Sequence, residues 1–211
     1  VASRRIGKHR PDRVHAADAS VVQRICRVGT LMYIWEGERV RLRAVEPEDW
    51  ATYAAWGKDS QSDRETDMLY FPRSTGAKRE HVAKLSQAVP EQDVFRFQIE
   101  TLAGELVGTL NTHTCDRRVG AFSYGLGVAA GHRRQGYASE AIRLVLRYFF
   151  NELRYQKVTV HVYDFNVGSI RLHERLGFQR EGCLRRLGFT DGKHFDILVY
   201  GMTAEEFRSQ P

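Results

Sequence analysis

The chain has 211 residues, 42% of them hydrophobic and 27% charged, with a formal net charge of +6, which fits one ordinary globular domain with a sizeable core. No apolar run approaches the roughly 20 residues of a membrane-crossing helix, and Cys26, Cys115 and Cys183 show no CxxC or Cys/His spacing, so neither a metal site nor a disulfide framework is indicated and a reduced, cytoplasmic protein is expected. The excess charge is local: residues 1–31 hold seven basic residues against Asp12 and Asp18, or +5, leaving 25 basic and 24 acidic residues, or +1, for the rest, so the high pI makes no case for a nucleic-acid partner.

Those first residues show no helical or strand period. Residues 1–34 read as a basic extension outside a folded domain of residues 35–211. An Arg-rich, acid-poor segment suits a basic arm, a transit-like leader, or sequence upstream of the natural start, with Met32 lying just before the first strand.

Arg39-Val40-Arg41-Leu42-Arg43 alternates in polarity and predicts that first strand. Pro47-Glu48-Asp49-Trp50 then opens a helix to about residue 57, with proline and acids in its first turn. Residues 58–76 read as a polar loop, and a second helix is expected over about 78–87. Strands follow at 95–100, 106–112 and about 120–128, joined by turns at Ala103-Gly104-Glu105 and Asp116-Arg117-Arg118. Turns this short permit only antiparallel pairing.

Beyond them the chain reads strand, glycine-bearing turn and long amphipathic helix. The helix starts near Gln135 and Gly136 and buries Ala138, Ala141, Ile142, Val145 and Phe149 at a 3.6-residue period. Its N-terminus follows His132, Arg133 and Arg134 and presents unpaired N–H groups, which suits an anion such as phosphate. Gly136 would let that anion approach the main chain. Gly125, Gly127 and Gly131 imitate a dinucleotide-binding fingerprint. Antiparallel strands precede them, however, the helix starts too late, and only one further crossover follows.

Lys157–Tyr163 is a β-branched strand, parallel to residues 120–128 because a helix separates them. Asn166 caps a short helix over about 168–176 that Gly177 ends. A hairpin closes the chain, residues 184–189 and 195–202 about the turn Asp191-Gly192.

Arg133-Arg134-Gln135-Gly136-Tyr137-Ala138, followed by Ser139-Glu140-Ala141 and by Asn166 with Leu176-Gly177-Phe178, resembles the GCN5-related N-acetyltransferase (GNAT) superfamily, in particular its ribosomal-protein N-terminal acetyltransferase (Rim-type) branch. The resemblance covers about residues 35–202. It implies an α/β fold: a mixed, mostly antiparallel twisted sheet flanked by helices, with a V-shaped cleft between the fourth and fifth core strands. It also implies acetyl-CoA as cofactor, with the pyrophosphate on Arg133, Arg134, Gln135, Gly136, Tyr137 and Ala138. The pantetheine would lie along Gly127, Val128 and Ala129, with Asn166 and Ser169 nearby.

Acetyl would then pass directly to a primary amine in a ternary complex. That amine could be a protein N-terminus, a small molecule, a polyamine or an amine antibiotic. A non-catalytic CoA-binding sensor is the reading from another class, and a homodimer is compatible with the family. His173 stands where many relatives carry the tyrosine that protonates the departing thiolate, and a histidine can donate a proton at neutral pH. For the base, the residues offer Glu65 and Asp67 in the polar loop, Asn111 and His113 at the end of a strand, and Tyr124 before the cofactor turn. Asn111, His113 and Asp196 are candidate acceptor contacts, and Asp196 could equally brace the terminal hairpin.

Overall fold

The computed structural model describes residues 33–210. The expected basic extension, except for its last two residues, lies outside them. Seven strands form one sheet: β1 (Val40–Arg43), β2 (Arg96–Thr101), β3 (Leu106–Asp116), β4 (Ala121–Val128), β5 (Lys157–Tyr163), β6 (Gln179–Thr190) and β7 (Lys193–Thr203). Their spatial order is β1-β2-β3-β4-β5-β7-β6. Every pairing is antiparallel except β4 with β5. That exception follows from the helix between them, since a crossover returns the chain in the same direction.

The helices are α1 (Trp50–Trp56), α2 (Ser60–Thr66), α3 (Thr75–Ser86), α4 (Tyr137–Asn151), α5 (Val167–Arg175) and α6 (Ala204–Arg208). Helix α4 buries seven residues, including Ile142, Val145, Phe149 and Phe150, and Phe149 stacks on Phe122 of β4 with ring centroids 4.1 Å apart. Full burial of such a side chain contributes about 1.5–3 kcal/mol. Packing therefore holds α4, and its N-terminus carries no side-chain cap. Glu140 in its first turns anchors β1 instead: the carboxylate accepts the N–H groups of Glu38, Arg39 and Val40 at 2.6–2.9 Å.

The polar stretch after α1 is not all loop. Asp59 caps α2, accepting the Ser62 N–H at 3.1 Å, and no α2 residue is buried, so the helix leaves no apolar period in the sequence. The first helix is split in the same region, a 3-10 turn over Pro47–Asp49 preceding α1. The terminal hairpin is longer than its apolar runs suggest, because its edge strand β6 exposes most of its side chains. Its turn is as expected: Asp191 and Gly192 have φ of 49° and 73°, the left-handed pair of a type I′ turn.

Candidate active site

Strands β4 and β5 pair only where Ala121–Ser123 face Lys157–Thr159. Beyond that they part, while β4 stays paired with β3 as far as Val128 and β5 with β7 as far as Tyr163. The result is a wedge with Tyr124 as the first β4 residue past its apex. Among the described residues, main-chain groups of residues 124–127 that would face a neighbouring strand are left for a ligand with amide groups of its own.

The wedge opens toward the turn before α4. Arg134 and Gly136 adopt φ of 63° and 87°, so the chain alternates left-handed residues and its N–H groups turn toward a common side. The first helical backbone bond runs from Glu140 N–H to Gly136 C=O, at 3.1 Å. With no side-chain cap, the N–H groups of Tyr137, Ala138 and Ser139 have no acceptor at the helix start among the described residues. A Cβ on Gly136 would stand 3.0 Å from Arg39 Nη1, and that Nη1 donates to the Gln135 C=O at 3.1 Å. Arg39 is a cation at this loop that the sequence did not offer, since it lies 96 residues away. The uncapped donors, the exposed Arg134 and the close approach allowed at Gly136 fit a pyrophosphate.

Arg133 does something else. Its Nε donates to Val128 C=O at 3.1 Å, Nη1 to Glu65 Oε2 at 2.7 Å and Nη2 to Ser62 Oγ at 2.8 Å. The guanidinium thus clamps α2 to the end of β4, and what Arg133 offers the turn itself is its main-chain N–H. Glu65 is held on both oxygens, the other accepting from Gln61 Nε2 at 2.9 Å.

Asn166 caps α5 as expected, Oδ1 accepting the Ser169 N–H at 3.0 Å, and its Nδ2 donates to the Glu65 C=O at 3.1 Å. Ser169 in turn offers its C=O to His173 Nδ1 at 2.8 Å. With the ring proton on Nδ1, His173 Nε2 accepts the Tyr124 hydroxyl at 2.9 Å. Both rings are buried. Burial pushes the Tyr124 phenol well above its usual range and His173 below its own, so both stay neutral. Each proton is engaged in a hydrogen bond, and the pair fixes the apex of the wedge to α5.

On the opposite face of the sheet, Thr109, Asn111 and His113 lie across from Gly127, Gly125 and Ser123. They share a pocket of about 540 Å³ with Tyr53 and Trp56 of α1 and with Asp63 of α2; Ser123 alone of these is not part of its lining. His113 Nδ1 lies 3.0 Å from Thr114 Oγ1, and Nε2 makes no hydrogen bond among the described residues. Burial first, then the charge of His161, lower its pKa. Asp67 also lines the pocket, with one oxygen accepting the Tyr70 hydroxyl at 2.5 Å.

Asp196 is not brought to this pocket. Its Oδ1 accepts the Arg186 N–H at 2.8 Å and its Oδ2 the Cys183 thiol at 3.4 Å, bracing a bulge in β6. It lines a separate open groove of about 860 Å³ beside that bulge. These contacts fit the hairpin role. Among the described residues, no three His, Cys, Asp or Glu side chains stand together as a metal site, and no helix is long and apolar enough to cross a membrane.

The acetyltransferase (GNAT) domain family matches residues 39–179. The SPbeta prophage-derived uncharacterized N-acetyltransferase YokL of Bacillus subtilis (strain 168) is 46% identical over 173 residues, 82% of this chain and 94% of that protein. The uncharacterized N-acetyltransferase p20 of Bacillus licheniformis is 27% identical over 173 residues, 81% of this chain and 96% of that protein. The spermidine N-acetyltransferase of Vibrio cholerae, solved with CoA and spermine, superposes with a TM-score of 0.70 at 21% identity, covering 82% of this chain and all of the other. That likeness concerns the fold.

Proposed function

This chain belongs to the acetyltransferase (GNAT) domain family and is an acetyl-CoA-dependent N-acetyltransferase, and from that premise we propose that it passes acetyl directly to a primary amine held in the pocket of Asn111 and His113. The observation that carries this reading is the wedge between β4 and β5. It leads from uncapped N–H groups at the start of α4 to an apex beside a pocket on the acceptor face.

Acetyl-CoA supplies an activated acetyl group and a thiol leaving group. The N–H groups of Tyr137, Ala138 and Ser139 would hold its pyrophosphate, with Arg134 and Arg39 adding positive charge. The main chain of residues 124–127, unpaired on the wedge side among the described residues, would take its amide-bearing arm. His113 Nε2 is the proton acceptor for the attacking amine. Its lowered pKa keeps the imidazole neutral at neutral pH, with the lone pair available. The imidazolium that forms is a stronger acid than a thiol and can return the proton to the leaving sulfur. Asn111, beside it on the same face, orients the amine. We assign these roles to residues 35–211, with the basic extension outside the catalytic unit.

The test is calorimetric titration with acetyl-CoA of the wild type and of Gly136→Glu, followed by a thiol-release assay with a panel of primary amines. The variant puts a side chain and a negative charge where the pyrophosphate would lie. Binding by the wild type that disappears in a still-folded variant supports the cofactor site. Equal binding by both would remove the loop from the reading.

A further inference from the structure

The acceptor-face pocket holds charge of both signs, and its positive end has no carboxylate partner. Arg96 stands opposite Asn111 in the β2–β3 ladder, so its side chain leaves the sheet on the face that floors the pocket, and it lines that pocket. Arg73, in the loop before α3, lies 5.5 Å over the ring of Tyr70, which is one of the walls. His81 of α3 is close enough to Arg73 and Arg96 for their charges to add to the effect of burial in lowering its pKa. Neither arginine forms a salt bridge among the described residues. Neighbouring Lys84, by contrast, pairs with Glu80 at 2.7 Å.

The facing wall is acidic. Asp63 and Asp67 line it, and Asp63 forms no salt bridge among the described residues. Its carboxyl is held above its usual range by burial and by the charges of Asp59 and Asp67. Charge of either sign left without a partner at a site lowers the free energy of binding a group of the opposite sign. A polycation would satisfy the acidic wall and meet Arg73 and Arg96 at the other. A simple alkylamine would leave both guanidinium groups unmatched.

We infer that the acceptor carries an anionic group, a carboxylate or a phosphate, besides its amine. The anion is taken by Arg96 and Arg73, while the amine lies between the acidic wall and His113. This inference rests on the reading of the pocket as the acceptor site.

Four short primary amines separate the possibilities: 4-aminobutanoate, phosphoethanolamine, butylamine and putrescine, each assayed by thiol release from acetyl-CoA. Wild type should use at least one of the two anionic amines with a kcat/KM tenfold or more above both others, and the better of the two identifies the anion. Arg96→Gln should shrink that ratio at least tenfold through KM, and Arg73→Gln should shrink it in the same direction. Folding of both variants is checked by their acetyl-CoA affinity.

Preference for putrescine or butylamine, a ratio that neither variant moves, or no turnover of any of the four overturns the inference. Asn111→Ala separates this failure from failure of the pocket itself. A rise in KM for every acceptor in Asn111→Ala, with no selective effect of Arg96→Gln, removes only the anion. No effect of either substitution on any KM removes the acceptor site as well.

Discussion

Arg133 Nη1 lies 2.7 Å from Glu65 Oε2, which ties a helix built on polar residues to the turn that begins α4. In the sequence the two look like separate functional groups, a residue of the phosphate turn and a candidate general base. Their contact spends both on holding α2 against β4. Glu65→Gln should therefore retain kcat within about threefold of wild type, with an unchanged pH profile. Loss of a general base would cost about 100-fold or more, so the two outcomes are well separated. Because the pair is partly exposed, its removal should lower stability in chemical denaturation by only about 1 kcal/mol.

Arg39 should matter more to the cofactor than Arg133. It reaches the Gln135 carbonyl from the bend just before β1 and sits beside the uncapped helix start. Arg39→Met should weaken acetyl-CoA binding several-fold in calorimetry, and more at low ionic strength than at high, as expected of a partly solvated charge. Arg133→Met, whose guanidinium faces away toward α2, should lower affinity less. A reversed order would return Arg133 to the phosphate.

The features legible in the sequence share one property: their cause is local. The α4 stripe, the β-branched strand Lys157–Tyr163, the Asn166 cap and the Asp191-Gly192 turn are each written within a few residues. The one parallel pair within an antiparallel sheet was legible too, from strand–helix–strand order, while the wedge it opens into came only with the family resemblance. Helix α2 left no trace, since no residue on it is buried and its ties to the domain are long-range, as from Glu65 to Arg133, 68 residues away, and to Asn166. Arg39 beside the phosphate turn, and Tyr124 beside His173, are likewise long-range pairings. The family resemblance suggested the chemistry of His173, but not its burial or its bond to Tyr124.

His113 gives a pH prediction with a definite sign. Burial, and secondarily His161, place its pKa below 6.5, and the neutral form is the one that accepts a proton. With acetyl-CoA saturating, kcat/KM should rise with pH through a midpoint below 6.5 that reports this group. His113→Gln should lower kcat by about 100- to 10,000-fold and abolish that limb. A residual activity that keeps the same limb would assign it to another group.

The Tyr124–His173 pair makes a prediction about stability instead of proton transfer. Its rings are buried and neutral, joined by a 2.9 Å hydrogen bond. Removing one partner leaves the other unsatisfied in a dry site, at a cost of about 1–3 kcal/mol. His173→Phe and Tyr124→Phe should each cost about that much in denaturant unfolding. The double substitution should cost clearly less than their sum, because the second change removes the group stranded by the first. Burial also lowers the folded-state pKa of His173, so the unfolded chain binds its proton first as pH falls. Wild-type stability should therefore decline as pH drops below about 6.5, and His173→Phe should lose that part of the decline. Additive costs and an unchanged pH dependence would show that the pair is not coupled in the folded protein. A catalytic loss in His173→Phe far beyond its loss of stability would restore the histidine to the chemistry.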